Sequence, residues 1–434
     1  MIPTGRLIRL VAALAILGVL AAVWPRFNTM CAMLGGVLLG AAAMDVVLIS
    51  MRKRMTLERL LPGRLALGVQ NEISIWLHNP NRATVTAEFF DGLPLSVTSE
   101  HLPWSGTVQG RGMTRVIYKA TATERGAVTF TACHVRETSP LGLWQRAYRL
   151  GEDTDVKVYP NYEPVVRYTL LAMSNRTSQM GIVAKNIAGQ SREFHQLRDY
   201  QDGDVLSQID WKATSRRRIL IAREFREQRD QTLIFLLDCG RRMRAIDCDL
   251  SQFDHTLNAT LLLSYIALRQ GDQVGVMGFG GTNRWMPPVK GQHSMSVLLN
   301  HLYDYQATPE PSDFSEAVER LMARQRRRAM VVLLTNLRTE DSAHLLPPLQ
   351  LLRRKHLVVV ANLKERGVVE RVRQPVATLE DALFVGAGLS YLEERTRFLR
   401  ALRDHGILTL DETAPALPAA LANCYLDIKR RGSL

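Results

Sequence analysis

The chain has few cysteines and no organised use for them. Cys31, Cys133, Cys239, Cys248 and Cys424 are scattered and form no CxxC pair. That excludes the usual spacing of a structural zinc site and any disulfide framework, and free thiols suit a reducing compartment. Catalytic signatures are missing too. There is no GxxxxGKS/T phosphate loop, no HExxH and no GxSxG elbow, so P-loop nucleotide hydrolysis, zincin chemistry and the hydrolase nucleophile are not encoded. The GFGG stretch at 278–281 is too short for a dinucleotide fingerprint. Acidic residues are in deficit: 42 Asp and Glu face 55 Lys and Arg, a formal net charge of +13. That imbalance points to an anionic neighbour, either a lipid surface or a nucleic acid. A nucleic-acid motif and an aromatic stacking platform are both absent, so no nucleic-acid partner is expected. No cofactor or small-molecule substrate is expected either.

What is present begins with two apolar runs. Residues 7–24 are apolar apart from Arg9, and residues 29–51 are broken only by Asp45. Each matches the ~20 residues that cross a bilayer. A four-residue turn separates them, so they read as a two-helix transmembrane hairpin over 1–54. Arg6 and Arg9 precede it and Arg52, Lys53 and Arg54 follow it, which puts both ends on the cytoplasmic side of the membrane. Asp45 lies near the cytoplasmic end and is given no role beyond reaching the interface.

Residues 55–165 alternate apolar and polar side chains at 71–79, 83–90, 114–122 and 127–137, with turn residues between. That spacing predicts an antiparallel β-sandwich. From residue 231 the period changes. Continuous apolar runs at 232–238, 272–280, 329–335 and 356–363 alternate with helical patterns. Such runs are strands buried on both faces, and their alternation with helices predicts an α/β doubly wound parallel sheet over 231–434. Ligands in such sheets sit at the carboxyl ends of strands, which singles out Asp238 with residues 239–242, and Thr335 with Asn336.

Residues 166–230 link the two regions and hold the densest chemistry. Between 192 and 212 lie five carboxylates, two arginines, Tyr200 and Trp211, and three more arginines follow at 216–218. One reading makes Arg198, Asp204, Asp210, Lys212 and Arg216 a buried, mutually paired brace with Tyr200 and Trp211 packing the seam, since breaking such pairs costs roughly 3–5 kcal/mol. The other makes them a docking surface. Catalysis is not assigned, because His195 has no nucleophile at a recognisable spacing. Further basic runs at 216–218, 326–328, 353–355 and 429–431 flank strands or end helices, where cations suit the helix dipole. On an anchored protein they would also suit an anionic leaflet.

Phe194, Leu197, Arg198, Tyr200, Gly203, Asp204, Ile209, Asp210, Trp211, Lys212 and Arg216 stand in the order of a known signature. By it the chain resembles the domain-of-unknown-function 58 family, the MoxR-associated bacterial membrane proteins; ERGAVTF and SPLGLW in the β region agree. The resemblance implies a von Willebrand factor A-like domain and work alongside a MoxR-type AAA+ ATPase and other A-domain proteins. It also implies a metal-ion-dependent adhesion site, whose first loop reads Asp-x-Ser-x-Ser. Here Asp238 is kept, Gly240 and Arg242 replace the serines, Ser312 stands for the later Thr, and Asn336 for the later Asp. With hydroxyls lost and a guanidinium gained, no metal is expected, and Arg241 or Arg242 is expected to pair with Asp238 in the ion's place. The resulting expectation is a non-enzymatic, membrane-anchored interaction protein that recognises a partner through Asp238, Gly240, Arg242, Ser312 and Asn336. A metal-dependent ligand-binding A domain and an enzyme using Arg198, Asp204 and Asp210 are the alternatives.

Overall fold

Alternating side chains in the first part of the chain fold it into short strands with one buried face each. In the computed structural model, which describes all residues except 25–26, 166, 168–191, 202–205, 207–208, 228–230, 248, 339, 341 and 433–434, two compact units appear, Met1–Tyr159 and Pro160–Leu434.

The first unit opens with β1 (Ile2–Pro3) and the helices α1 (Gly5–Val23) and α2 (Asn28–Met51). Ten strands follow: β2 (Thr56–Leu60), β3 (Arg64–Ala66), β4 (Gln70–His78), β5 (Val85–Gly92), β6 (Val97–Glu100), β7 (Trp104–Val108), β8 (Met113–Ala122), β9 (Gly126–Thr138), β10 (Trp144–Leu150) and β11 (Thr154–Tyr159). One sheet has the order β2-β4-β8-β6. The other runs β1-β10-β9-β11-β3, with β5 joining β9 to β7. Ile73, Ile75 and Leu77 of β4 and Val116, Tyr118 and Ala120 of β8 are buried, as are Val85, Ala87 and Phe89 of β5. Polar contacts also join the sheets. Arg59 of β2 pairs with Asp91 of β5 at 3.2 Å and donates to the carbonyls of Phe130 and Thr131 at 3.1 and 2.6 Å. The Tyr118 hydroxyl and the Cys133 thiol both donate to Asp91. Burial, with the Asp91 charge behind it, pushes the Cys133 thiol up to about 12, so Cys133 is a structural thiol.

Among the described residues, one helix is long and apolar enough to cross a membrane, the 24-residue α2. The sequence reading predicted two spans; α1 is a 19-residue helix with Arg6 and Arg9 in its first turns. Asp45 of α2 has more to do than the sequence suggested. It is fully buried and accepts hydrogen bonds from the amides of Leu141 and Leu143 at 2.9 and 3.0 Å and from the Ser139 hydroxyl. Thr4, which caps α1, donates to the carbonyls of Gly142 and Leu143 at 2.7 and 3.0 Å. The SPLGLW turn is therefore pinned to both helices.

In the second unit, β12 (Arg192–Asp199) and β13 (Ile221–Glu227) form an antiparallel ribbon, with the short helix α3 (Trp211–Arg217) between them. Then come β14 (Thr232–Asp238), a 3-10 turn (Arg241–Arg244), β15 (Ile246–Asp247), β16 (Leu250–Ser251), α4 (Gln252–Arg269), β17 (Gln273–Phe279), β18 (Trp285–Lys290), α5 (Ser294–Leu302), α6 (Phe314–Arg324), β19 (Met330–Thr335), α7 (Ser342–Arg353), β20 (Leu357–Lys364), α8 (Arg366–Val372), α9 (Leu379–Asp404), β21 (Leu408–Thr413) and α10 (Leu417–Arg430). Six of these strands make one sheet in the order β18-β17-β14-β19-β20-β21. All neighbours are parallel except β17 and β18. Pro287 and Pro288 in β18 suit an edge position, where the missing amides cost no ladder bond.

Successive residues of a strand point to opposite faces, and here both faces are covered. Ile234, Leu236, Val331, Leu333, Val358 and Val360 share a core with Phe314, Leu321, Leu349 and Leu402 from α6, α7 and α9. The alternate residues Leu233, Phe235, Val332, Leu334 and Val359 are equally buried. Counted in chain order from β14, the strands lie 3-2-1-4-5-6. The order reverses between β14 and β19, and a crevice opens at the carboxyl ends of strands at such a point.

Candidate functional site at the carboxyl ends of the parallel strands

Asp238 ends β14 at this switch point and is 2 % exposed. Its Oδ1 accepts the Gly240 amide at 2.8 Å and the Ser312 hydroxyl, and its Oδ2 accepts the Thr335 hydroxyl at 2.6 Å. One carboxylate thus ties together the loop after β14, the loop before α6 and the end of β19. Burial pushes the Asp238 carboxyl above the ordinary carboxylate range; the Ser312 and Thr335 hydroxyls, the Gly240 amide and the Arg242 charge oppose it and are outweighed.

Gly240 is needed for its size. A Cβ there would fall 2.0 Å from Ser312 Oγ and 3.1 Å from Asp238 Oδ1. Gly280, at φ +78°, lets the end of β17 approach equally closely, because a Cβ there would meet the Gly240 amide nitrogen at 2.9 Å. The loops are laced by main-chain bonds from Cys239 to Phe279, Arg241 to Glu310 and Thr308 to Cys239 at 2.7–2.9 Å.

Register extends the site across the sheet. Thr335 of β19 stands opposite Asn362 of β20, which stands opposite Asp411 of β21. Asn362 accepts the Leu337 amide at 2.8 Å and donates to Asp411 at 3.0 Å. Arg395 of α9, 3 % exposed, reaches Asp411 at 2.5 Å and the Leu363 carbonyl at 2.6 Å. Asn336 donates to Gln252 Oε1 at 2.7 Å and Glu365 Oε1 at 3.0 Å, while its own Oδ1 is buried without a hydrogen-bond partner.

The structure therefore brings Asp238, Gly240, Ser312 and Asn336 to one strand edge, but two details differ from the sequence reading. Among the described residues, no arginine is bonded to Asp238 in an ion's place. Hydroxyls and an amide hold that carboxylate, and Arg242 pairs with Glu340 at 3.4 Å while its charge acts on Asp238 from the same loop. Thr335 also bonds Asp238, a position the sequence reading assigned to Ser312 alone. Gln252, Asn362, Glu365, Arg395 and Asp411 were missed; the one legible signal was that β20, like β14 and β19, runs from apolar residues into a polar one at the same edge.

An adhesion-type divalent cation does not suit these residues. A serine at position 240 would overlap Ser312, Arg242 brings a fixed positive charge, and Asn336 offers a neutral carbonyl oxygen where an adhesion site has a carboxylate.

The 192–217 cluster takes a different form from the predicted brace. Asp210 caps α3, accepting the amides of Lys212 and Ala213 at 3.1 and 3.0 Å. Its own amide donates to the Ile221 carbonyl, and the Tyr200 amide donates to Leu220. Arg198 donates to the Asp199 carbonyl. Trp211 is 67 % exposed and Lys212 and Arg216 are exposed, so these three are not part of a buried charge network. Gly203 and Asp204 lie outside the described residues. His301, on α5, bonds the Tyr305 hydroxyl at 2.8 Å; burial and then the Arg284 charge lower its pKa.

The "Uncharacterized protein YeaD" of Bacillus subtilis (strain 168) is 27% identical over 237 residues, 54% of this chain and 56% of that protein. The chain thus spans about half the length of this curated relative. Among solved structures, the YadV chaperone covers 26% of this chain and 59% of its own at 12% identity and a TM-score of 0.18. A FixG-related protein from Vibrio parahaemolyticus covers 24% and 94% at 9% identity, also with a TM-score of 0.18. Likeness at that level identifies no fold. Over residues 196–383, which include Asp238, Ser312, Thr335, Asn336 and Glu365, the chain matches the family described as "Protein of unknown function DUF58".

Proposed function

We propose that this chain is a non-enzymatic, membrane-anchored interaction protein whose recognition surface is the carboxyl edge of its parallel sheet. The observation that carries this reading is the state of Asp238. A general base or metal ligand needs a free lone pair aimed at open space. Asp238 is instead buried, and donors from three segments take three of the about four lone-pair sites of its carboxylate, so it holds the loop after β14, the loop before α6 and the end of β19 in a fixed relation. The turn that follows it carries Arg241, Arg242 and Arg244, of which Arg241 and Arg244 are exposed. The strand order and the antiparallel edge strand support a von Willebrand factor A-like reading of this unit. The apolar α2 supports anchoring, and the shared grip of Thr4 and Asp45 on the 139–143 turn supports a two-helix hairpin with both ends on one side. The resemblance suggests a MoxR-type ATPase as partner. Binding of such a purified ATPase to the full chain, compared with Arg241→Glu/Arg242→Glu, tests the reading. Loss of binding by a variant that unfolds at the wild-type temperature supports it. Equal binding by the variant, or none by the wild type, overturns it.

A further inference from the structure

The opposite edge of the same sheet has its own chemistry. β19 and β20 are neighbours, with Met330 opposite Leu357, and the Leu357 amide donates to the Ala329 carbonyl at 3.0 Å. The turns that enter these two strands are therefore side by side. One carries Arg326, Arg327 and Arg328, and the other Arg353, Arg354 and Lys355. The five arginines are exposed and Lys355 is half-buried. The buried Gln325 donates to the Arg327 carbonyl at 3.0 Å and fixes the first turn. The Arg353 guanidinium lies over Gly406, where a Cβ would fall 2.3 Å from Nη2, so the charge continues to the entrance of β21.

Among the described residues, acids on this edge are largely paired. Asp272 is buried and bonded to Lys429 at 2.7 Å, and Asp427 pairs with Arg430. Asp404 adds one exposed carboxylate before β21. Arg326, Arg327, Arg353 and Arg354 make no ion pair among the described residues. Packing like charges this closely raises the energy of the free protein unless an anion lies nearby.

We propose that this amino edge docks on anionic phospholipid headgroups. The charges lie along consecutive strand entrances about 5 Å apart, an edge and not a cleft, which fits an extended anionic surface better than one small anion. Trp285, which Arg324 covers at 5.9 Å, stands opposite Met277 toward the carboxyl end of β17, so it gives the amino edge no platform for base stacking. The inference rests on reading α2 as a membrane anchor, which would hold this unit at high local lipid concentration.

The test uses the full chain reconstituted in phosphatidylcholine vesicles with and without phosphatidylglycerol carrying a photoreactive headgroup. Cross-links are mapped by mass spectrometry. They are expected on the segments around 324–328 and 353–355 and to disappear at high salt. Each cation near an anionic leaflet is worth about fivefold in partitioning, so Arg326→Gln/Arg327→Gln/Arg353→Gln/Arg354→Gln should lower their yield at least about tenfold while its unfolding temperature stays that of the wild type. Cross-links mapping elsewhere, unchanged yield in the variant, or protection of these segments by a DNA duplex and not by anionic vesicles would overturn the proposal. If carbonate washes the protein off zwitterionic vesicles, the anchor reading alone fails, and the anionic comparison still decides the patch.

Discussion

Replacing Asp238 by alanine removes the acceptor for three donors at once. The Ser312 and Thr335 hydroxyls can turn toward other oxygens, but the Gly240 amide is fixed by the loop and would be left buried and unbonded. An unsatisfied buried donor costs about 1–3 kcal/mol. Adding the two weakened hydroxyl bonds, and subtracting the relief of an acid that burial already disfavours, gives a loss of about 2–4 kcal/mol for Asp238→Ala. For a unit of this size that lowers the unfolding temperature by roughly 5–10 °C. Asp238→Asn keeps an acceptor for Gly240 and should cost less than about 1 kcal/mol near neutral pH. The same carboxyl gives a pH signature. Its folded pKa lies above its unfolded one, so the stability its proton contributes is fully present below the unfolded value and is lost as pH rises through the folded one. Asp238→Asn should abolish that slope. Thermal unfolding of the full chain across pH, with hydrogen exchange at the Gly240 amide, reads both effects. Wild-type protection of that amide in Asp238→Ala would refute the keystone role.

Gly240→Ala places a methyl against Ser312 Oγ and should cost about 1–3 kcal/mol; adding Ser312→Gly should recover part of it, and strictly additive losses in thermal unfolding would contradict the close approach. Arg395→Ala strands Asp411 and the Leu363 carbonyl and should cost about 3 kcal/mol or more by denaturant unfolding. Asp45→Ala frees the amides of Leu141 and Leu143, so their hydrogen exchange should quicken at least about tenfold while exchange in the second unit stays unchanged. His301 has a folded pKa below its ordinary value of 6.5, so its unfolded form takes up a proton first. Stability should fall as pH drops below that value, with no contribution above it, and His301→Gln should flatten this acid limb in a pH series of melts.

Local pattern was enough to locate many elements. The apolar runs at 232–238 and 356–363 coincide with Thr232–Asp238 and Leu357–Lys364, because a strand buried on both faces has no polar positions to confuse the reading. The helix read at 379–405 is Leu379–Asp404, marked by its Thr378–Asp381 capping box. The edge strand Trp285–Lys290 was not legible, since two prolines argue against a strand until its outward edge is known. Asp238 could be named from its place at the end of an apolar run. Its partners could not. Thr335, Gly240 and Ser312 are far apart in sequence or have small side chains, and only sheet register and a glycine-permitted close approach bring them to one carboxylate. Asp45 shows the same division. The sequence marked it as an acid in an apolar helix, but its hydrogen bonds to residues 139–143 depend on a turn almost a hundred positions away. Periodicity and charge are local properties, so the chain by itself determined its strands, its helices and its basic surplus. Which donors meet which acceptor depends on long-range packing, and that only the tertiary structure decided.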